Sequence, residues 1–545
     1  MTTERPSQRP PNRQLAALIS EAGFSNAGLA RRVDQLGLEH GLDLRYDKTS
    51  VTRWLRGQQP RGTTPALIAE VFTRRLGRRL TAQDLGLDAC APVYAGLEFA
   101  ATPTEAIDIV SGLWRKDTGS QAELRKIAFT PAGLVVPSRD WLIGRPDEKV
   151  ARELQQQRGA PGSAVPPGAP GAVRVPAQGR GPGVGLGGGV AVGVGAGPGT
   201  GASGGPGGLA GVGGAGGVGA AGGVAAGRGD PGPGWGGPGA RAPGQRVTQG
   251  DIGAMRSVAE MFRALDNAYG GGHARQALVR YLEHEVEPML RGTYNEATGR
   301  RLFSAAADLT RLAGWTSYDI AAHGLAQRYF VQALRLAQAS GDRAYGSYVL
   351  VTMSRQAVYL GHGREAVQLT RVAQQGVGGG APPVVQALLH AAEARGHGLL
   401  GEVRACTTSL ARAERALESA RPGEEAPHWA RFFDEAQLAD EFGHCHRDLQ
   451  QFRAAAQHAE RSLQLRAAGF ARSRVFCRLV LATARLGLGE VEQACVLGAE
   501  AAQQAAEMRS ARAAEYVRDF ERRLEPYRDA PPVRAYRERV AALAV

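Results

Sequence analysis

The spacing of apolar residues over the first ninety positions is that of amphipathic helices. It predicts five helices, at 12–22, 26–37 or slightly beyond, 47–56, 64–76 and, as a short piece, 81–85. Their apolar faces would together close one small core. The residues predicted for that core are Leu15, Leu18, Leu29, Val33, Leu67, Ile68, Val71 and Leu76.

The third of these helices combines an apolar face with a basic one. Asp47 suits its N-cap, and Gly57 followed by Pro60 ends it. Val51 and Trp54 fall on the apolar face, and the other faces carry Lys48, Thr49, Thr52, Arg53 and Arg56. Such a helix suits a DNA major groove, where Lys and Arg donate to guanine and Thr contacts either base edges or methyl groups. The alternative is a solvated amphipathic helix whose cations face water.

Charge favours the DNA interpretation. Residues 12–80 hold twelve Lys or Arg against six Asp or Glu, a net charge of +6 out of +13 for the whole chain. Clustered positive charge releases counterions from phosphate when it binds DNA, so a salt-sensitive interaction is expected.

Three segments of this region resemble the helix-turn-helix of the lambda-repressor-like (XRE) family. They are L-A-R-R-V at 29–33, S-V-T-R-W-L-R-G at 50–57 and P-A-L-I-A at 65–69. The resemblance implies that the first segment belongs to the supporting helix and the second to the recognition helix. The DNA contacts predicted from the residues and the resemblance are Lys48, Thr49, Ser50, Thr52, Arg53, Arg56 and Arg61. Nineteen residues separate Leu29 from Lys48, roughly ten more than the tight turn of that motif needs.

The two segments that follow differ in composition. Residues 90–155 mix helical and extended patterns and are predicted to be a small module of uncertain fold. Trp114 and Trp141 could belong to a ligand site, but Trp in a small module is more often a core residue. Residues 156–246 are predicted to be a disordered linker, because 36 of the 75 glycines lie between Gly159 and Gly244. At about 86 residues, such a linker would separate its ends by roughly 50 Å.

From 247 to 545 the chain is rich in Ala, Leu, Arg, Gln and Glu at helical spacing. Short turns recur before a small residue inside the next helix, at Ala366, Ala405, Ala455 and Ala494, and the intervals are 39, 50 and 39 residues. This pattern is similar to degenerate tetratricopeptide repeats, which implies a stacked α-solenoid with a concave groove. The groove would suit a protein or peptide ligand. The alternative is a scaffold that dimerises the amino-terminal DNA-binding region, here called the head.

Chemistry of other kinds has little support in the sequence. The five cysteines are scattered without a C-x-x-C pair, so neither a disulfide framework nor a zinc ribbon is expected. His444, Cys445 and His446 are adjacent on a predicted helix, where they point in different directions and cannot chelate together. No Walker A loop occurs, and the G-x-G-x-x-G and G-x-S-x-G matches at 183–188 and 201–205 lack a neighbouring strand and helix. We therefore expect no cofactor, no metal and no enzyme activity.

The chain as a whole is predicted to be mainly α, with a disordered N-terminus at 1–11, a helix-turn-helix domain at 12–89, the module, the linker and the repeat domain. This order resembles actinobacterial regulators of differentiation and antibiotic production. The resemblance implies a transcriptional regulator that binds double-stranded DNA, pairs its heads (as in a homodimer) and senses a partner through its repeats. The alternative is an interaction scaffold whose head does not bind DNA. The amino terminus lacks an apolar signal region. We therefore expect a cytoplasmic protein that is located at the nucleoid when bound to DNA and has no membrane partner.

Overall fold

The structure is a computed structural model that describes residues 10–39, 44–60, 64–78, 80–88, 96–117, 124–125, 127–152, 245–421 and 425–543. The described residues form helices joined by short turns, with two isolated β-bridges. The mainly α fold class is therefore confirmed. No helix among the described residues is long and apolar enough to cross a membrane.

The amino-terminal region, called the head from here on, is a four-helix domain. Its helices are α1 (Arg13–Ala22), α2 (Asn26–Glu39), α3 (Lys48–Leu55) and α4 (Thr64–Leu76). The predicted core is buried, except that Leu76 lies half-buried at its edge. The predicted helix at 81–85 is wrong: these residues form a turn, in which Asp84 accepts hydrogen bonds from the backbone and hydroxyl of Thr81, both at 2.7 Å. A side chain that bonds so locally offers the backbone an alternative to a helix.

The described part of the predicted module does not have a core of its own. It contains α5 (Pro103–Lys116), a 3₁₀ turn (Pro131–Leu134) and α6 (Val135–Ile143), and its apolar residues belong to the same cluster as those of the repeat helices. Trp141 is fully buried against the backbones of Gly346 and Gly376, where a Cβ atom would clash with its ring. Residues 96–152 are thus the first layer of the carboxyl-terminal body.

The repeat body continues from residue 245 as antiparallel helix pairs. Its first helices are α7 (Gln249–Tyr269), α8 (Arg275–Tyr281) and, after one π turn (Leu282–Val286), α9 (Glu287–Leu290). The following helices are α10 (Glu296–Asp319), α11 (His323–Ser340), α12 (Arg343–Tyr359), α13 (Gly363–Val377), α14 (Pro383–Leu399), α15 (Val403–Glu418), α16 (Glu435–Asp448), α17 (Phe452–Leu465), α18 (Ala471–Gly487), α19 (Val491–Ala506), α20 (Ala511–Arg523) and α21 (Pro531–Ala541). Each helix packs on its partner in the pair and on a neighbouring pair, as in a helical-repeat array.

Small residues mark the close crossings within the pairs. Ala366, Ala455 and Ala494 are fully buried, whereas Ala405 is half-buried and its neighbour Cys406 takes the interior position. The four cysteines that lie in described residues are free and buried.

The two ends of the array contact each other. Helix α7 packs on α18, and the backbone N–H of Gly272 donates to the carbonyl of Arg509 at 2.8 Å. Arg472 of α18 holds Asp266 of α7 through two hydrogen bonds of 2.7 and 2.6 Å. The concave side therefore forms a lumen that is partly open to solvent and runs along the first helix of each pair.

The glycine-rich segment begins and ends at one place on this body. Arg152 pairs with Tyr294 through backbone hydrogen bonds of 2.9 and 2.8 Å, and Val247 N–H donates to Thr293 at 2.9 Å. Residues 153–244 lie outside the described residues, and so does nearly all of the predicted linker. Because residues 96–152 belong to the body, the linker is an insertion within the body. The expected 50 Å separation of head and body through it does not apply.

Candidate functional site

Helix α3 begins at a capping box. The Asp47 carboxylate accepts from the backbone N–H of Ser50 at 2.8 Å and from its hydroxyl at 2.9 Å. These hydrogen bonds to the ionised form hold the pKa of Asp47 below its usual range. The helix ends at Leu55, with Arg56 as its C-cap, and Gly57 follows with a φ of 94°, which a residue with a side chain rarely adopts.

The apolar face of α3 points into the head. Val51 is fully buried and Trp54 is 4% exposed. The ring of Tyr46 packs edge-on against Trp54 at 5.1 Å, and the Tyr46 hydroxyl lies 2.9 Å from Thr64 Oγ1 on α4. The orientation predicted for Val51 and Trp54 is therefore confirmed.

Helix α2 extends to Glu39 and takes up part of the long connection before α3. Residues 35–39 extend α2, and the chain then re-enters the described residues at 44. The Tyr46 N–H donates to both carboxylate oxygens of Asp34 on α2, at 3.0 and 3.1 Å, which fixes the approach to α3. The extra length thus does not leave α3 without support from α2.

Most of the predicted contact residues form an exposed basic surface on α3. Lys48, Thr49, Arg53 and Arg56 are exposed, and Thr52 is half-buried with its hydroxyl donating to the carbonyl of Lys48 at 2.8 Å.

Two predicted contacts are not part of this surface. Ser50 is only 6% exposed, and its hydroxyl is engaged by Asp47 and accepts from Arg53 Nη2 at 3.3 Å. Ser50 is the third residue of the helix and closes the capping box with Asp47, so its side chain is not on the exposed face of α3. Arg61 lies outside the described residues.

The second candidate site is the lumen of the repeat body, a cavity of about 1170 Å³. It is lined by α7, α10, α12, α14, α16, α18 and α20, which are the first helices of successive pairs. Twelve arginines and seven carboxylates lie on its wall among nine Trp, Tyr and Phe rings. The lining therefore has excess positive charge and large aromatic surfaces.

Most of the lumen arginines already have carboxylate partners. Glu441 is 2% exposed and pairs with Arg355 at 2.5 Å and Arg395 at 3.0 Å. Asp308 pairs with Arg263 at 2.7 Å and accepts from the Tyr345 hydroxyl at 2.8 Å. Although burial opposes ionisation, these partners hold the pKa of Asp308 well below its usual range.

The adjacent His444, Cys445 and His446 face three different surroundings. His444 is buried at the lumen beside the ring of Tyr516, and Cys445 is buried next to Cys406. The Nδ1–H of His446 donates to the side-chain oxygen of Gln451 at 2.6 Å. No group of three or more metal-ligating side chains occurs among the described residues.

The lumen arginines were not identified in the sequence. A local signal exists, because Arg311, Trp315 and Tyr318 share one face of α10, as Arg512 and Tyr516 do on α20. Arginines are so frequent in this chain, however, that such spacing alone does not separate a lumen residue from a solvated one.

The fold and these two surfaces define a mainly α protein with a small helical head and a helical-repeat body. The family model described as SP15 N-terminal domain matches residues 15–88, which form the head. Searches of the curated proteins and of the solved structures find no match to this chain.

Proposed function

We propose that this protein is a DNA-binding transcriptional regulator whose repeat body binds an effector in its lumen. The observation that carries the proposal is the orientation of α3, which buries Val51 and Trp54 while exposing Lys48, Arg53 and Arg56. A short helix fixed on one side and basic on the other can enter a major groove and donate to guanine and phosphate. The protein would act in the cytoplasm, at the nucleoid when bound to DNA.

Several features support the DNA-binding role. Lys48, Thr49 and Arg53 lie in the first two turns of α3, the part of a recognition helix that reaches base edges. Arg53 keeps one bond to Ser50 and is otherwise exposed, so its guanidinium is preorganised along the helix. One head of this size makes few contacts, and two paired heads, as in a homodimer, would supply useful affinity.

The lumen supports the effector-binding role. Its walls combine cationic and aromatic side chains, the composition expected where a peptide, a segment of another protein or a smaller organic ligand is bound. Development or secondary metabolism is the process that we propose for the regulated genes, on the resemblance of the domain order.

Coupling between head and body would be short in range. Residues 89–95 connect them, and eight peptide units span at most about 30 Å. A change in the body can therefore alter head pairing or compete with DNA directly.

The test is a mobility shift of the full chain on genomic fragments, with Arg53→Ala and Lys48→Ala. We expect Arg53→Ala to lose sequence preference, a cost of about 1–3 kcal/mol if Arg53 reads a base, while Lys48→Ala weakens binding and lowers its salt dependence. The control is Arg74→Ala on α4, which removes the same charge from an exposed ion pair with Glu70. A wild-type chain that binds no duplex at low salt would favour the alternative, a scaffold with an inactive head.

A further inference from the structure

Arg512 occupies an unusual position in the lumen wall. It is 7% exposed, near the start of α20, and its guanidinium is surrounded by aromatic rings. The guanidinium carbon lies 4.1 Å from the ring centre of Tyr318, 4.8 Å from Phe476, 5.4 Å from Trp315 and 5.5 Å from Tyr359. Stacked rings cover the faces of a guanidinium and leave its donors, which lie in the plane, for another partner.

Those donors have no hydrogen-bond partner among the described residues. Nε and Nη1 of Arg512 are buried and donate to nothing described. The carboxylate closest to Arg512 is that of Asp319, whose Oδ1 lies 3.7 Å from Nη1, beyond hydrogen-bond distance. Asp319 is held through Oδ2, by the Gly271 N–H at 2.8 Å and by Arg472 at 3.1 Å. Its Oδ1 has no hydrogen bond to any described residue and forms only a loose ion pair with Arg512. Buried charged donors that make no hydrogen bond are rare in folded proteins, and we take those of Arg512 as the position that a ligand carboxylate would occupy.

Other unused polar atoms lie around the same part of the lumen. His323 packs near Tyr318 and Tyr359, His444 packs near Tyr516, and the Nδ1 atom of each histidine is without a hydrogen bond to described residues. Arg395 keeps a bond to Glu441 but its Nε is likewise unpaired.

Local cations act on both histidines. Burial, then Arg512 and Arg125, lower the pKa of His323 to about 4. Burial, then four arginines led by Arg395, hold the pKa of His444 well below its usual range. Both rings are thus neutral at pH 7, so each has one N–H donor and one acceptor nitrogen.

We propose that Arg512 and the rings around it form a subsite for a carboxylate that is attached to an aromatic or apolar group. A planar guanidinium matches the carboxylate, and Trp315, Tyr318 and Phe476 would contact the attached group. A monoanion is favoured over a phosphate dianion, because the neighbouring Arg472, Arg355 and Arg395 already hold carboxylates. The inference deepens the proposed effector role of the lumen and rests on it. The carboxylate can come from a peptide or from a small organic acid.

The experiment is a calorimetric titration of the full chain with N-acetyl-phenylalanine at pH 7, alongside its primary amide and inorganic phosphate. We expect saturable binding of the acid, and binding of the amide weaker by about tenfold or more, since one charge-assisted hydrogen-bonded contact is worth about that factor. The tetrapeptide Ala-Ala-Ala-Phe, with a free or an amidated carboxyl end, should show the same ratio. Tighter binding of the free tetrapeptide than of the single residue identifies a peptide as the source, and equal binding identifies a small acid.

The variants are Arg512→Gln and Arg512→Lys. The control is Arg461→Gln, because Arg461 is an exposed arginine, paired with Glu435, that does not line the lumen. We expect Arg512→Gln to lose acid binding and Arg461→Gln to keep it. Arg512→Lys retains the charge without the planar donors and should bind more weakly than wild type. If Arg512→Gln does not fold, the ratio of acid to amide binding on the wild-type chain decides alone.

Four results would overturn the subsite. They are equal binding of acid and amide, wild-type binding by a folded Arg512→Gln chain, phosphate binding as tight as that of the acid, and absence of acid binding at about 10 mM. The mobility shift on DNA is a separate measurement. A chain that binds the acid but no DNA contradicts the regulator and leaves the subsite standing.

Discussion

Single side chains in the lumen set how the stability of the body depends on pH. His323 is half-buried beside Tyr318 and Tyr359, and its pKa of about 4 lies below the ordinary value of 6.5. Its folded-state pKa is depressed, so the unfolded chain binds the proton more tightly than the folded chain does. The stabilisation that neutral His323 contributes is therefore complete above pH 6.5 and is lost as the pH falls towards 4.

We expect His323→Gln to reduce the loss of stability between pH 7 and pH 4 by about 1–3 kcal/mol, since one pKa unit corresponds to about 1.4 kcal/mol. The measurement is the midpoint of chemical denaturation of the full chain over this pH range. His284→Gln is the control, because the His284 side chain is 68% exposed. Parallel pH profiles for wild type and His323→Gln would show that His323 is not responsible.

The residue scale also shows where sequence reasoning stops. The apolar spacing of Val51 and Trp54 is a local property, and it correctly predicted which face of α3 is buried. Ser50 directly precedes Val51 in this helix, and its role depends on a rotamer that bonds to Asp47, which periodicity does not specify. The partners of Arg512 come from α10, α12 and α18, so no stretch of sequence places them together.

At the scale of helices, long-range ion pairs connect the ends of the repeat array. Arg472 is 3% exposed and binds both Asp266, 206 residues away in the chain, and Asp319. Burial opposes ionisation of these groups, but the two carboxylates raise the pKa of Arg472 above its usual range. Helix existence and pairing could be predicted from periodicity, whereas this contact between the ends could not, because it joins elements that are distant in the chain.

We expect Arg472→Ala to destabilise the body by about 3–5 kcal/mol, because the change leaves two buried carboxylates without their partner. The matched control is Arg461→Ala, which breaks an ion pair between side chains that are 53% and 62% exposed and should cost below about 1 kcal/mol. Both are measured by denaturant unfolding of the full chain. Equal effects of the two variants would contradict a structural role for the Arg472 network.

At the scale of the whole molecule, the glycine-rich segment is an insertion. Its flanks are fixed at Thr293 and Tyr294 by backbone hydrogen bonds. A helical-repeat pattern could be followed only after it in the sequence, from residue 247. The return of the chain to the same place could not be predicted, because the flanking residues Arg152, Arg246 and Val247 show no distinctive pattern. The segment 96–152 was likewise undecided in sequence because its residues contact partners about 200 positions away. One example is Gln327, whose side-chain oxygen accepts from the Thr130 N–H.

We expect that replacing residues 153–244 with a six-residue Gly-Ser bridge, which reaches about 20 Å, leaves the unfolding midpoint of the body unchanged. The measurement is thermal and denaturant unfolding, together with titration of N-acetyl-phenylalanine. As a control, the deletion is extended back to residue 145, which also removes Asp147 and its ion pair with buried Arg335 at 2.8 Å. That larger deletion should destabilise the body, and the insertion model fails if the smaller one does so too.

The contact between α7 and α18 also restricts what the body can hold. An open superhelix offers its inner surface to folded domains and to several chains at once, whereas an array closed on itself has one interior of about 1170 Å³. That volume is slightly above the range of pockets for drug-sized molecules. The proposed effector must therefore be slender, such as a chain end or a small metabolite.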